Sequence, residues 1–276
     1  MTPSQRKEER PVAALLAPDI LALLEESPAD VAAETEEMHA ADLADVAEAI
    51  PIEQVRTLLR VLPADRAADV LEYLDEDLRS QLLEEMTPAQ AAKLVSEMTP
   101  DDRVDVLEEL EEERAEEILA EIAPEARRET EKLLTYAPDS AGGIMTTEFV
   151  QVPETLTVDE ALSNVRRIAR AGWREAMHAV YVTDAQGALR GVMSLRELLA
   201  AAEGTRVADV AWEEVVSVPA TADRAEVARM TSEYDLVAVP VVDHDASATA
   251  DALIEAVAIT GCTVTDIRPE RRLPLR

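Results

Sequence analysis

Residues 98–122, MTPDDRVDVLEELEEERAEEILAEI, contain a pattern of apolar residues that recurs every 12 positions. The leading position of each unit is apolar along the whole series: Ile50, Leu62, Leu74, Met86, Met98, Leu110, Ile122 and Leu134. Apolar residues also stand four and three positions before each of these up to Ile122. Offsets of 0, 1 and 4 share one helical face, so the pattern predicts a series of short amphipathic helices.

Turn-forming residues separate the units: Pro51, Pro63, Thr87-Pro88, Thr99-Pro100 and Pro124. Each helix therefore has about two turns, too few to be stable alone. Neighbouring helices must bury their apolar faces against each other, as in an α-solenoid. We predict an all-α, superhelical, armadillo-like repeat domain over residues 12–135, preceded by a flexible N-terminus at residues 1–11.

Acidic residues dominate the chain, with 58 Asp and Glu against 26 Lys and Arg and a formal net charge of -32. Residues 1–136 alone hold 36 of the acids and 13 of the bases. Such a surface lacks the basic stripe that phosphate neutralisation needs, which argues against nucleic-acid binding. It favours cations or basic partners, and a divalent ion between carboxylates would relieve the self-repulsion.

Other features restrict compartment and chemistry. Cys262 is the single cysteine, so we predict no disulfide and a reducing, cytoplasmic location. The start MTPSQRKEER lacks the apolar core of a signal peptide, and Pro18 and Asp19 interrupt the best apolar run. We therefore expect no direct membrane insertion. No nucleophile stands beside a base and the three histidines are scattered, so we do not expect an enzyme.

The period changes at Tyr136, where YAPDSAGGIMTTEFVQV predicts a linker that leads into a strand. Its Gly142-Gly143 pair allows close approach of the chain. Thr157 and Glu160 predict a helix start, and HAVYVTDAQGALRGVMSL predicts two strands joined by a turn. A second, similar cycle follows. We predict an α+β region made of two tandem β-α-β-β-α units.

Three stretches carry a resemblance to a known family: YAPDSAGGIMTTEFVQVPETLTVDEAL, GVMSLRELL and EVARMTSEYDLVAVPVVD. They resemble the tandem CBS domains of MgtE-type magnesium channels, and the 12-residue repeat resembles that family's superhelical N domain. The resemblance implies a first CBS unit at residues 136–203, a second at 204–257 and an irregular tail at 258–276. The second unit is shortened, because only ASA stands where the first has a turn and a return strand.

The resemblance also implies a mechanism. In this family, carboxylates of the N and CBS domains bind Mg²⁺ at their mutual interfaces, which closes a transmembrane pore when cell magnesium is high. The ion prefers oxygen ligands and keeps several waters, so it can bridge two surfaces through few carboxylates. The expected partners are a membrane transporter and, through the CBS domains, a second copy of the chain.

Several acids match the metal-binding positions of the family. In the helical domain these are Asp69, Asp101 and Asp105; in the second CBS unit they are Asp223, Asp235 and Glu255. Asp101 and Asp105 are spaced to share one helical face. Ala225 and Ala252 stand where the family has acids, which weakens the match. The alternative for every matched acid is a solvated surface residue.

A nucleotide site is the other expectation that the resemblance carries. Thr249 and Asp251 fit the Thr-x-Asp pair that holds a ribose in nucleotide-binding CBS domains, with ATP or another adenine nucleotide as the ligand. Ser194 and Arg196 begin a predicted helix after a strand, where they could contact a phosphate. Helix capping explains Ser194 equally well.

The chain departs from the family in its second half, and functions other than magnesium sensing also fit it. The family's transmembrane helices are missing and the tail is irregular, which favours a natural stand-alone sensor or a gene fragment over an excised piece. Beside magnesium sensing, the chain fits an energy-sensing adaptor, with nucleotide in the CBS pair and a protein partner on the solenoid. A structural scaffold is the third possibility. Magnesium titration and nucleotide calorimetry separate these functions.

Overall fold

The computed structural model describes residues 11–170, 179–242 and 254–259. The chain forms two compact units that divide between Thr130 and Glu131. We call residues 11–130 the helical unit and the described residues from 131 to 259 the mixed unit. The predicted flexible N-terminus, residues 1–11, lies outside the described residues except for Pro11.

The helical unit contains these helices, α1 to α10 in chain order, of which the last crosses the boundary into the mixed unit: Pro11–Glu26, Val31–Glu34, Ala40–Glu48, Ile52–Val61, Ala64–Tyr73, Glu76–Glu85, Pro88–Val95, Pro100–Glu108, Glu112–Glu121 and Pro124–Leu133. A short 3₁₀ turn, Pro28–Asp30, precedes α2. From α3 onward, the helices begin at residues 40, 52, 64, 76, 88, 100, 112 and 124. The predicted period of 12 residues is thus confirmed.

Burial follows the same register. The two inner positions of each unit are buried throughout: Val46, Leu58, Val70, Leu82, Leu94, Val106 and Ile118, and Ala47, Leu59, Leu71, Leu83, Val95, Leu107 and Leu119. The leading position is buried from Ile50 to Ile122, with the exception of Met86, which is half-buried. Helices two apart along the chain pack together, namely α1 with α3, α3 with α5, α5 with α7 and α7 with α9.

Two arginines bind main-chain carbonyl groups about thirty residues earlier in the chain. Arg66 donates to the carbonyls of Thr35 and Met38. Arg114, 48 residues further on, donates to Leu83 at 2.7 Å and Met86 at 2.5 Å. The last carbonyls of a helix lack intrahelical donors and carry partial negative charge, so a guanidinium satisfies both needs.

Two more arginines cap the helix that directly precedes their own. Arg79 donates to Leu74 at 3.3 Å and to Glu72 at 2.7 Å. Arg103 donates to Val95 at 3.2 Å and Met98 at 3.1 Å, and it is buried. We refer to Arg66, Arg79, Arg103 and Arg114 as the carbonyl-capping arginines. They hold the short helices together through polar groups that the apolar pattern does not reveal.

The mixed unit contains seven strands and three helices among the described residues. The strands β1 to β7 are Met145–Thr146, Val150–Pro153, Val180–Thr183, Leu189–Met193, Val218–Pro219, Ala238–Val242 and Ile254–Ile259. The helices α11 to α13 are Val158–Arg170, Leu195–Ala200 and Arg224–Tyr234, with a 3₁₀ turn at Val207–Asp209. The predicted tandem arrangement is confirmed by β2-α11-β3-β4-α12 and by β5-α13-β6-β7.

The strands form two sheets. The first has the order β2-β3-β4, with β2 parallel and β4 antiparallel to β3. The second has the order β1-β7-β6-β5, with β5 parallel to β6 and β7 antiparallel to both neighbours. Apolar residues of β2, β3 and α11 share one core, which includes Val150, Val165 and Val180. Each β-α-β-β unit is thus a small sheet with a helix packed against it.

The linker before β1 packs against the second β-α-β-β unit. Ala141 N–H donates to Ala222 at 2.7 Å, and Gly142 N–H donates to Ala220 at 2.8 Å. A Cβ on Gly143 would lie 2.3 Å from the carbonyl oxygen of Ala137, closer than any side chain permits. The predicted close approach of the chain at the glycine pair is therefore found.

The prediction of a nearly absent return strand in the second unit was wrong. Strand β7 supplies it, with Val239 opposite Ala258 and Val241 opposite Ala256. The chain forms a strand from Ile254 to Ile259. A short apolar run does not distinguish strand from helix by period alone. Pairing with both β6 and β1 decides for the strand, which ends two residues inside the predicted tail.

Candidate functional site

The beginning of α8 carries three aspartates, Asp101, Asp102 and Asp105. Asp101 and Asp102 are half-buried, whereas Asp105 is exposed. Asp101 and Asp105 lie one helical turn apart and thus on one face of the helix. We call these three residues the α8 aspartates.

The Oδ1 atom of Asp101 is buried and has no hydrogen-bond partner among the described residues. A buried polar atom without a partner costs free energy, and such atoms are few in folded proteins. A carboxylate oxygen can accept from a water or bind a hard cation such as Mg²⁺. The donor chemistry at Asp101 therefore fits a hydrated divalent ion.

Asp102 sits in the least favourable environment for negative charge at this site. Its pKa is raised to about 6, chiefly because burial disfavours the charged form and because Asp101 is close. A hydrogen bond from Thr99 Oγ1, 2.5 Å long, acts in the opposite direction. The charge of Asp105 raises the pKa further and that of Arg79 lowers it. Asp102 was not among the predicted ligands, although its position between two of them in PDDRVD was a signal.

Asp69 is the third residue of the helical unit that was predicted to bind metal. It is half-buried and lies on α5, a different helix from the one that carries the α8 aspartates. Within residues 11–170, 179–242 and 254–259, no three ligand-type side chains are grouped so that they could hold one ion. The α8 aspartates thus form a concentration of negative charge and not a ready-made metal cage.

The structure places Asp223 and Asp235 at opposite ends of α13. Asp223 caps the start of the helix, and Asp235 ends it in the left-handed conformation with φ 53°. Both are exposed. A helix of 11 residues is about 16 Å long at 1.5 Å per residue, so the two carboxylates cannot share one ion.

Alanine stands at two positions where the family has acids, Ala225 and Ala252. Ala225 donates its N–H to Asp223 Oδ1 at 2.7 Å, and Ala252 lies outside the described residues. Glu255 belongs to β7, but its side chain lies outside the described residues. The prediction that Glu255 binds metal therefore stays a prediction.

Of the four residues predicted for nucleotide binding, the structure describes Ser194 and Arg196. Ser194 and Glu197 form a capping box at the start of α12, so the hydroxyl of Ser194 serves the helix. Arg196 is exposed. The pKa of Glu197 is lowered by the backbone bond from Ser194 and then by the Trp212 indole, which donates at 2.7 Å. Thr249 and Asp251 lie outside the described residues.

One of the three histidines is described, and it has a structural role. His39 Nδ1 accepts from the N–H of Ala41 at 3.2 Å and so caps α3. Its ring meets that of Tyr73 edge to face, with 5.8 Å between the centroids. His178 and His244 lie outside the described residues.

A helical repeat followed by two β-α-β-β units defines a class of protein that joins an α-solenoid to a CBS pair. Family models support both halves: the MgtE intracellular N domain matches residues 38–139, and the CBS domain matches residues 141–204 and 207–247. The second CBS match is 41 residues long and the first 64, and the second match ends before β7.

Solved structures identify the family. The cytosolic domain of the Mg²⁺ channel MgtE in complex with ATP is 33% identical, with a TM-score of 0.78, and the match covers 86% of this chain and 94% of that one. The soluble part of a magnesium transporter is 29% identical, with a TM-score of 0.81 and coverage of 90% and 95%. The chain belongs to the MgtE family and corresponds to its cytosolic region.

Curated relatives give the same family. The chain is 44% identical over 122 residues to the magnesium transporter MgtE of Thermus thermophilus, and 40% identical over 121 residues to that of Enterococcus faecalis. These matches include 44% of this chain and span about a quarter of each relative, 27% and 26%. In the part of the chain that the structure describes, no helix is both long and apolar enough to cross a membrane.

Proposed function

We propose that this chain is the magnesium-sensing regulatory domain of an MgtE-type magnesium transport system, placed at the cytoplasmic face of the membrane. The observation that carries the proposal is the buried Oδ1 of Asp101, which has no partner in the described part of the chain and lies beside Asp102 and Asp105. Carboxylates in this arrangement repel one another until a cation neutralises them. The role is regulatory and not catalytic, as the relatives' descriptions favour.

Mg²⁺ fits such a site because it keeps several waters and needs only one or two protein carboxylates. Asp101 and Asp105 supply the helical-unit side of the proposed site, and Asp69 supplies a further carboxylate on α5. The acids on the mixed unit are Asp223, at the start of α13, and Asp235 and Glu255. An ion held between the two units favours a compact state, and loss of the ion favours an open one.

The proposed switch is tested by titrating Mg²⁺ into the purified chain and measuring the radius of gyration by X-ray scattering. Compaction at millimolar Mg²⁺, with protease protection of residues 130–150, is expected. Unchanged scattering and proteolysis up to about 10 mM Mg²⁺ would rule the switch out, since a physiological sensor must respond in that range.

A double substitution tests the assignment to the α8 aspartates. Replacing Asp101 and Asp105 with Asn should raise the Mg²⁺ concentration at half-compaction roughly tenfold, because two carboxylates are lost from the site. The control is Glu112→Gln with Glu113→Gln, which removes the same charge from exposed positions of α9. Equal shifts in both double variants would show a general charge effect and contradict the assignment.

A second function is favoured by one specific observation, the ATP in the related MgtE cytosolic domain. In this function the CBS pair senses an adenine nucleotide and the solenoid binds a partner protein. Arg196 is exposed, so its guanidinium can meet a phosphate, while Thr249 and Asp251 are the ribose-binding candidates. Calorimetry with ATP, ADP and AMP, compared with that of an Asp251→Ala variant, separates this function from magnesium sensing alone.

The assembly follows from the same family relationship. We infer a membrane-embedded transporter as the partner and a homodimer through the CBS units. Sedimentation velocity with and without Mg²⁺ measures the oligomeric state directly. A monomer under both conditions would exclude the homodimer and leave the magnesium switch to be judged by scattering.

A further inference from the structure

We propose that a cavity in the helical unit binds a small amphiphilic anion, a compact apolar group that carries a phosphate or a carboxylate. The cavity has a volume of about 230 Å³ and lies between α4 and α7. Its charged lining residues are Arg56, Arg60 and Lys93. Nothing in the magnesium-sensing proposal uses these residues, so the two proposals stand or fall independently.

The charge of this cavity is opposite to that of the unit that contains it. Residues 1–136 hold 36 acids and 13 bases, yet all three charged residues of the lining are cationic. The carbonyl-capping arginines are engaged with the main chain and take no part. A local reversal of sign attracts anions to one place on an otherwise repulsive surface.

Two of the three cations are available to a ligand. Arg60 and Lys93 are exposed, and neither has an ion-pair or hydrogen-bond partner among the described residues. Arg56 is different, because its Nη1 lies 3.2 Å from Glu85 and 3.5 Å from Glu53. Those two carboxylates fix Arg56 and leave the other two cations to supply the net positive charge.

The remaining lining is largely apolar. Leu59, Leu62 and Leu94 are buried and form apolar surface in the cavity. Met86 joins them, and it is the residue whose partial exposure departs from the repeat. The cavity therefore lies beside the one leading position, from Ile50 to Ile122, whose side chain is not fully buried. The lining therefore combines apolar side chains with polar ones, namely the three cations and Gln90. A pocket in which a few convergent charges border apolar surface is a usual form of small-molecule site.

Size limits the ligand. Sites for drug-sized molecules have volumes of roughly 300–1,000 Å³, so this cavity suits a smaller ligand, such as one with a single compact ring system. The apolar lining favours a hydrocarbon body over a hydrated inorganic ion. The two available cations favour a phosphate or carboxylate at the opening.

The test uses 1-naphthyl phosphate as the probe, with binding to the full chain measured by calorimetry at low salt. Inorganic phosphate and 1-naphthol separate the charged from the apolar contribution. We expect 1-naphthyl phosphate to bind at least tenfold more tightly than either, because only it matches both parts of the lining. Equal binding of inorganic phosphate would overturn the amphiphilic ligand class.

Two variants locate the binding. Arg60→Gln with Lys93→Gln should weaken probe binding at least tenfold, and Ala64→Phe should block the cavity without a change of charge. Arg128→Gln with Arg167→Gln is the control, since it removes two exposed cations elsewhere. Circular dichroism verifies that each variant is folded. If the control lowers the affinity as much as the cavity variants, or if neither cavity variant lowers it, the proposal is wrong.

Discussion

The helical unit raises the pKa of the carboxyl group of Asp102, whereas the mixed unit lowers the pKa of the carboxyl groups of Glu160 and Glu197. In the helical unit, Asp102 has a raised pKa because it is buried beside Asp101. In the mixed unit, the pKa of Glu160 is lowered by its bonds to Thr157, and Glu197 is similarly stabilised by Ser194. Acid density alone therefore says little about function. The donors around each carboxylate decide whether its charge stabilises the fold or favours binding of a cation.

The largest expected effect comes from a carbonyl-capping arginine. Arg103→Ala should lower the free energy of unfolding of the helical unit by about 3 kcal/mol, because the carbonyls of Val95 and Met98 lose their donor. Thermal unfolding followed by circular dichroism at 222 nm measures the effect. The exposed Arg128→Ala is the control, and an equal loss there would remove the special role of Arg103.

The same experiment reports on both units. Residues 11–130 contain no tryptophan, and Trp212 belongs to the mixed unit, so tryptophan fluorescence is the probe for the mixed unit. Arg103→Ala should leave the fluorescence transition of the mixed unit unchanged. A parallel shift of both transitions would show that the units unfold together and would break the contrast between them.

A smaller effect is expected at Asp102. Folding raises its pKa, so its protonation stabilises the folded state; this contribution is complete below about pH 4 and is lost as the pH rises through about 6. The side chain in Asp102→Asn carries no charge. The free energy of unfolding of this variant should exceed that of the wild type by about 2 kcal/mol at pH 8 in EDTA and should change little at pH 4. Denaturant unfolding at both pH values measures this. An equal gain in Glu113→Gln would show net-charge relief instead.

The smallest effect is expected at the capping box of α12. Ser194→Ala should cost the mixed unit about 1 kcal/mol, since the N–H of Glu197 loses its acceptor. Ser163→Ala removes a hydroxyl that bonds only within α11, to Asp159 at 2.9 Å, and should have little effect. Tryptophan fluorescence follows both variants. Matching losses would mean that capping is not the cause.

Acidification should destabilise the folded state through Glu197 in the mixed unit, whereas it stabilises the folded state through Asp102. The lowered pKa of Glu197 contributes stability above the ordinary value of 4.5, and this stability is lost as the pH falls through the folded pKa. The Ser194→Ala variant keeps the backbone N–H at position 194, which is the main donor that lowers the pKa of Glu197. The pH dependence should therefore persist while the overall stability drops.

The sequence predicts the helical unit well because its information is periodic. The helix starts and the buried positions follow from the 12-residue register, with Met86 as the exception. The mixed unit is harder to predict, since β7 pairs on one side with β1, which is far away in sequence, and the residues of β7 suit a helix as well. Long-range pairing of this kind leaves no local pattern.

The candidate site was only partly predictable for a similar reason. The family resemblance pointed to Asp101 and Asp105, but the pKa of Asp102 depends on burial that a sequence does not display. The carbonyl-capping arginines were missed although Arg79 and Arg103 occupy the register of Val55. A cation at a core position within an acidic repeat was the available signal. The cavity beside Met86 left no trace in composition.

The pairing of β1 with β7 has a consequence for synthesis of the chain. Met145 and Thr146 stand opposite Ala258 and Val257, so this sheet joins residues from both ends of the mixed unit. Contacts in the helical unit are local and can form as the chain emerges, whereas this pairing must wait until the last strand has left the ribosome. We expect the nascent chain to have a folded solenoid and an unpaired sheet edge until β7 has left the ribosome.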